Sequence, residues 1–112
     1  MIKLIDSTER FVLECFGAKF FYRRILPTEK QNIIKKNSQS AIAAINFNWN
    51  DSAIEVCEVC LLGWSGVVDL ENKEIEFDRD YVGMLPEKVL LKLQIAIDSV
   101  DGITEEELEK NS

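Results

Sequence analysis

No histidine occurs among the 112 residues. That one absence removes Ser–His and Cys–His nucleophiles, histidine general bases and histidine-ligated metals. Three cysteines are too few to complete a four-ligand zinc site without histidine, and their odd number gives no closed disulfide framework. Such sparse cysteine suits a reducing compartment, so the expected location is the cytoplasm. Long apolar runs are also missing. Nothing approaches the roughly 18 residues that a transmembrane helix needs, and Asp6, Glu9 and Arg10 interrupt the N-terminal stretch too early for a signal peptide. The five glycines are scattered and form neither a P-loop nor a dinucleotide fingerprint. The carboxylates between Asp69 and Asp80 follow no metal-loop or acid/base spacing and read as a solvated surface. No catalytic residue, cofactor or metal is expected.

Positive charge is in short supply. Thirteen Lys/Arg against twenty Asp/Glu leave a net charge of −7, which disfavours nucleic acid and anionic membrane as partners. The deficit is uneven: residues 1–50 carry eight basic and four acidic side chains, whereas residues 51–112 carry five and sixteen. Folding can interleave the two regions on one surface. Alternatively, a basic face meets the acidic face of another copy, giving head-to-tail assembly.

What is present reads as one small α+β domain over residues 1–102, followed by an acidic, flexible tail at 103–112. Residues 11–26 alternate as a β-hairpin around Gly17. A short basic helix follows, with Pro27 at its start and Thr28 and Gln31 spaced as a capping box. One or two further helical turns are expected between Ala41 and Ile45. Asp51 or Ser52 then caps a strongly apolar helix reaching Leu62, with Gly63 as its stop and Asp51, Glu55 and Glu58 as its polar stripe. Glu74 to Phe77 alternate as a short additional strand. A last helix runs from Pro86 to about Val100, with Val89, Leu90, Leu93, Ala96 and Ile97 as its apolar face and Gly102 as its stop. The expected architecture is therefore an N-terminal hairpin packed against three to four helices, with an extra strand near 74–77.

Cys57-Glu58-Val59-Cys60 has the form of a CxxC motif. Redox versions place the reactive thiol at a helix N-terminus, where the dipole lowers its pKa. Here both cysteines fall in the second half of an apolar helix, so desolvation should leave them inert in the core. Tyr22-Arg23-Arg24 combines residue types enriched at protein interfaces, although arginine stems also cover ordinary sheet edges. Trp64, between Gly63 and Ser65-Gly66, either plugs the end of the core or stands out for a partner.

Two stretches carry a family resemblance. One is Gly63-Trp64, Gly66-Val67, Asp69, Ile75, Phe77, Leu85-Pro86, Val89, Leu93 and Ile97. The other is Phe21-Tyr22-Arg23-Arg24-Ile25 followed by Pro27-Thr28-Glu29. Together, over roughly residues 19–97, they resemble the tail assembly chaperones of long-tailed phages and prophages. The resemblance implies a non-enzymatic, self-associating protein that coats the tape-measure protein, keeps it soluble and helps recruit tail-tube subunits in the host cytoplasm. It also implies contact surfaces at the apolar residues around Trp64 and Val67 and at the basic hairpin residues Tyr22, Arg23 and Arg24. The runner-up reading is another small phage structural or adaptor protein, such as a head–tail connector or a regulator. A thiol-redox protein using Cys57 and Cys60 is the remote third.

Overall fold

The computed structural model describes residues 1–2, 4–6, 8–37, 52–99 and 103–104. Strands β1 (Phe11–Cys15) and β2 (Ala18–Tyr22) form the expected hairpin, pairing antiparallel from Phe11↔Tyr22 to Cys15↔Ala18. Its two-residue turn, Phe16-Gly17, has positive φ at both positions (51° and 79°), the geometry whose twist matches that of the flanking strands. Alternation puts Phe11, Leu13, Ala18, Phe20 and Tyr22 on one face of the sheet, and of these Phe11, Phe20 and Tyr22 are almost wholly buried.

Helix α1 spans Pro27–Asn37. It starts two residues earlier than a Thr28 cap would require. The Lys30 N–H already donates to the Leu26 carbonyl (3.0 Å), and the Glu29 carboxylate accepts from the Leu26 N–H (3.0 Å). Pro27 therefore takes the first helical position and Glu29 satisfies the exposed end of the helix from within its first turn. The turns expected at Ala41–Ile45 lie outside the described residues, as does Asp51.

Helix α2 covers Ala53–Cys60 and buries Ala53, Val56, Cys57 and Cys60, a spacing of three, four and seven from its first residue. It ends two residues before the expected Leu62. Leu61 turns into extended backbone (φ −67°, ψ 134°), and Leu61–Ser65 is strand β3, antiparallel to β2 with a bulge between Phe21 and Tyr22. The cause is tertiary: the Cys60 carbonyl accepts from the Arg23 N–H (3.0 Å) at the end of β2, drawing the chain onto the sheet. Gly63 accordingly lies within a strand opposite Phe21 and does not stop a helix.

After β3, residues 67–75 double back through the Ile75 N–H to Val67 carbonyl bond (2.8 Å) and the Asp69 N–H to Lys73 carbonyl bond (2.9 Å). The strand expected at 74–77 is reduced to an isolated bridge, Val68↔Glu74. Its hydrogen bonds close a loop on itself, so it adds no strand to the sheet. A 3-10 helix (Arg79–Met84), capped by the Asp78 carboxylate, leads into α3 (Glu87–Asp98), whose buried residues Val89, Leu90, Leu93 and Ile97 complete the core against α2. Gly102, the expected stop, lies outside the described residues. Ile103–Thr104 form β4, which pairs with Phe11 and Val12 and gives the sheet the order β3-β2-β1-β4. The segment read as a tail from residue 103 thus begins as an edge strand, because β1 would otherwise leave its outer hydrogen bonds unpaired.

Candidate protein-binding groove

Trp64 anchors the region to which the sequence drew attention. It is 9% exposed, and its ring meets Phe20 and Phe77 edge-on, with centroids 6.3 and 4.9 Å apart. Its indole N–H donates to the Ile75 carbonyl (2.8 Å), giving the one polar atom of a buried tryptophan its partner. Trp64 therefore belongs to the core and holds the following turn in place.

That turn has little freedom. Gly66 has φ 80°, and a Cβ there would stand 2.8 Å from the Gly17 carbonyl oxygen, so the loop sits directly on the hairpin tip. The Gly66 N–H donates to the Glu74 carboxylate (2.9 Å). Asp69 Oδ1 accepts from the N–H groups of Glu71 (2.8 Å) and Lys73 (3.0 Å), an Asx-type closure that suits short polar side chains in turns. The rigid loop projects Leu70, which is fully exposed, and Val68, which is about half exposed. Across from it, the 3-10 helix presents Tyr81 and Met84, the latter 77% exposed. Between them runs an open groove of about 790 Å³, floored by Trp64, Val67 and Ile75 and rimmed by Asp69 and Glu71. Sequence reasoning identified Trp64 and Val67 but missed Leu70, Tyr81 and Met84. Only the doubling back of residues 67–75 brings these close together.

The basic hairpin residues stand elsewhere and are engaged within the fold. Tyr22 is buried, stacked on Phe11 at 5.6 Å, and burial pushes its phenol pKa up. The Arg24 guanidinium lies over the Phe11 ring at 4.8 Å. Arg23 makes a two-pronged pair with Glu29, both bonds 2.7 Å, and also reaches the Val59 carbonyl at 3.2 Å. It thereby ties β2 to α1 and α2. The hydrogen bonds from Arg23 hold the Glu29 carboxyl below its usual range. Tyr22, Arg23 and Arg24 thus lie at the end of the sheet opposite the hairpin turn, and none of them lines the groove.

Cys57 and Cys60 have no exposed surface. Burial, chiefly, pushes both thiols up to about 12, far from the thiolate character that redox and nucleophilic cysteines need. Among the described residues, no group of three or more Cys, Asp or Glu is placed to hold a metal ion, and no helix is long and apolar enough to cross a membrane. Comparison with models of protein families, with curated proteins and with solved structures produced no match.

Proposed function

We propose that this protein is a non-enzymatic assembly chaperone, of the kind used in building long phage tails, that binds apolar segments of other proteins in the host cytoplasm. The observation that carries the reading is the groove beside Trp64, where Val68, Leu70, Tyr81 and Met84 expose large apolar surfaces around a preorganised floor. Apolar surface gathered in this way on a small domain marks a contact site for protein. The partner's chemistry follows from the rim. Asp69 and Glu71 border the groove, and Glu74, Asp78 and Asp80 lie nearby in the chain. A helical segment with apolar anchors at three- and four-residue spacing and flanking Lys or Arg would be complementary. A tape-measure protein, long and helical, offers many such segments and is the proposed client, with tail-tube subunits as a second protein partner. The buried, strongly desolvated thiols support a packing role for Cys57 and Cys60 rather than a redox one.

Co-expression with a tape-measure protein tests this. The wild-type chain should raise the client's soluble fraction and co-purify with it, whereas Leu70→Asp and Met84→Asp should abolish both effects while retaining the fold. A client equally soluble with either variant would sink the proposal.

A further inference from the structure

The hairpin tip breaks a local rule. A two-residue turn with positive φ at both positions favours Asn-Gly or Asp-Gly, yet its first position holds Phe16, at φ 51°. A bulky side chain is strained there because its Cβ crowds the backbone. Burial does not offset the strain, since Phe16 is 57% exposed. Two ammonium groups converge on its ring, Lys88 at 4.7 Å and Lys92 at 5.0 Å from the centroid. They come from successive turns of α3, where like charges four residues apart repel. Residues 51–112 hold only five basic side chains against sixteen acidic ones. Two of those five are nonetheless gathered on one ring, and among the described residues no carboxylate pairs with either. Ile95, 70% exposed, continues the same face of α3 three residues beyond Lys92. We infer that Phe16, Lys88, Lys92 and Ile95 form a second docking surface, which takes an acidic helical segment of another protein. None of the four lines the groove beside Trp64, so the inference is independent of how that groove is read.

Charge and spacing select this occupant. Two ammonium groups beside apolar surface call for carboxylates beside apolar side chains. Lys88 and Lys92 stand about 6 Å apart along the helix axis, the separation of two carboxylates at i and i+4 on a helix laid alongside. An apolar residue three positions outside that carboxylate pair then reaches Ile95. Phe16 adds apolar contact beside the ion pairs and keeps water from part of them. The platform is preorganised from both sides: α3 supplies the lysines, and the loop at Gly66 sits against the Gly17 carbonyl. Little ordering is left for binding to impose. A nucleic acid fits less well. Its charge recurs about every 1.7 Å and meets a chain of net charge −7, whereas a segment with two local carboxylates brings far less repulsion. The strained phenylalanine and the two crowded lysines each lower the stability of the free fold, and contact with a partner accounts for all three.

The probe is a labelled alanine-based helical peptide carrying Leu-x-x-Glu-x-x-x-Glu-x-x-Leu, a pattern that matches the surface in either direction, with a control in which both Glu are Gln. By fluorescence anisotropy with the full chain, the Glu peptide should bind about tenfold more tightly than the control, as two exposed ion pairs would give. Amide shifts on binding should move Phe16, Lys88, Lys92 and Ile95 and leave Leu70 and Met84 in place. Lys88→Gln with Lys92→Gln, both at exposed positions, should bring the Glu peptide down to the level of the control. Lys88→Glu with Lys92→Glu should instead select a peptide with Lys at the two Glu positions. Phe16→Asn, which suits the turn, should keep the melting temperature and weaken the Glu peptide about fivefold, as removing a half-buried aromatic contact would. Equal binding of the two peptides, undiminished binding by the lysine variants, or shifts centred on Leu70 and Met84 would each overturn the inference. A Phe16→Asn chain that melts lower yet binds equally well would make the ring a structural part of the turn and overturn its role here. A single-stranded oligonucleotide binding more tightly than the Glu peptide, or unlabelled chain displacing that peptide, would overturn the choice of occupant. Leu70→Asp and Met84→Asp should bind the Glu peptide as the wild type does, so failure of the groove reading and failure of this one are read separately.

Discussion

Arg23 and Glu29 show how strongly one side-chain pair can organise a small fold. Their two 2.7 Å bonds join the end of β2 to the first turn of α1, and the second Arg23 branch reaches the last turn of α2. Both side chains are largely shielded, so the bonds are charge-assisted and only weakly screened. Glu29→Gln should cost about 1.5–3 kcal/mol in urea unfolding at pH 7. Because the Glu29 pKa is lowered in the folded state, the stabilisation it provides is present above the ordinary carboxylate value of 4.5 and is lost as pH falls through the folded value. The gap between wild type and Glu29→Gln should therefore close as the denaturation series is carried below pH 4.5. The buried thiols behave in the opposite sense. Their folded pKa of about 12 stands above the ordinary 9.0, so ionisation favours the unfolded chain as pH rises between those values. At neutral pH, alkylating reagents should modify the partly exposed Cys15 first. Cys57 and Cys60 should react only at the rate of unfolding, so fast labelling of either in the native state would contradict their placement.

The loop after β3 is where element-level choices determine the surface. Gly66 occupies a backbone conformation that L side chains rarely adopt, against the Gly17 carbonyl. Gly66→Ala should destabilise by about 1–3 kcal/mol and, by shifting the loop, weaken groove-dependent binding more than melting alone would suggest. A Gly66→Ala protein with unchanged melting temperature would show that the hairpin tip yields easily. The same region shows where sequence patterns stop being informative. Val56 through Leu62 is almost continuously apolar, and such a run carries no period that separates a buried helix from a buried strand. Cys60 ends the helix because its carbonyl meets β2. The alternation Ile75, Phe77 has the spacing of a strand, but hydrogen bonds within the loop absorb it. By contrast, Phe11 to Tyr22 and Val89 to Ile97 were legible: each has a clear period and punctuation, Gly17 in one and Pro86 in the other.

At the scale of the whole molecule, charge is unevenly placed along the chain. The basic excess lies in residues 1–50 and the acidic excess in 51–112. Copies that assemble by meeting basic with acidic surface should associate less tightly as ionic strength rises, because charged contacts are screened over about 8 Å at 0.15 M. Apolar docking should leave a residual association at high salt. Sedimentation across a salt series would show a falling but finite association constant, and a constant that does not fall would remove charged contacts from the interface.

Composition and local periodicity alone were enough to place this chain among small α+β domains, to seat Cys57 and Cys60 in the core and to mark the stretch around Trp64. Those properties follow from which side chains water rejects and how often they recur, and neighbours in the chain suffice to reveal them. Whether Trp64 faced inward, where α2 gave way to β3 and which residues would wall a groove depended on contacts between distant segments. Trp64 is buried because Phe20, Ile75 and Phe77 converge on it. Leu70 and Met84 become a surface together because a loop folds back across from a 3-10 helix, a proximity encoded in no single stretch of the chain.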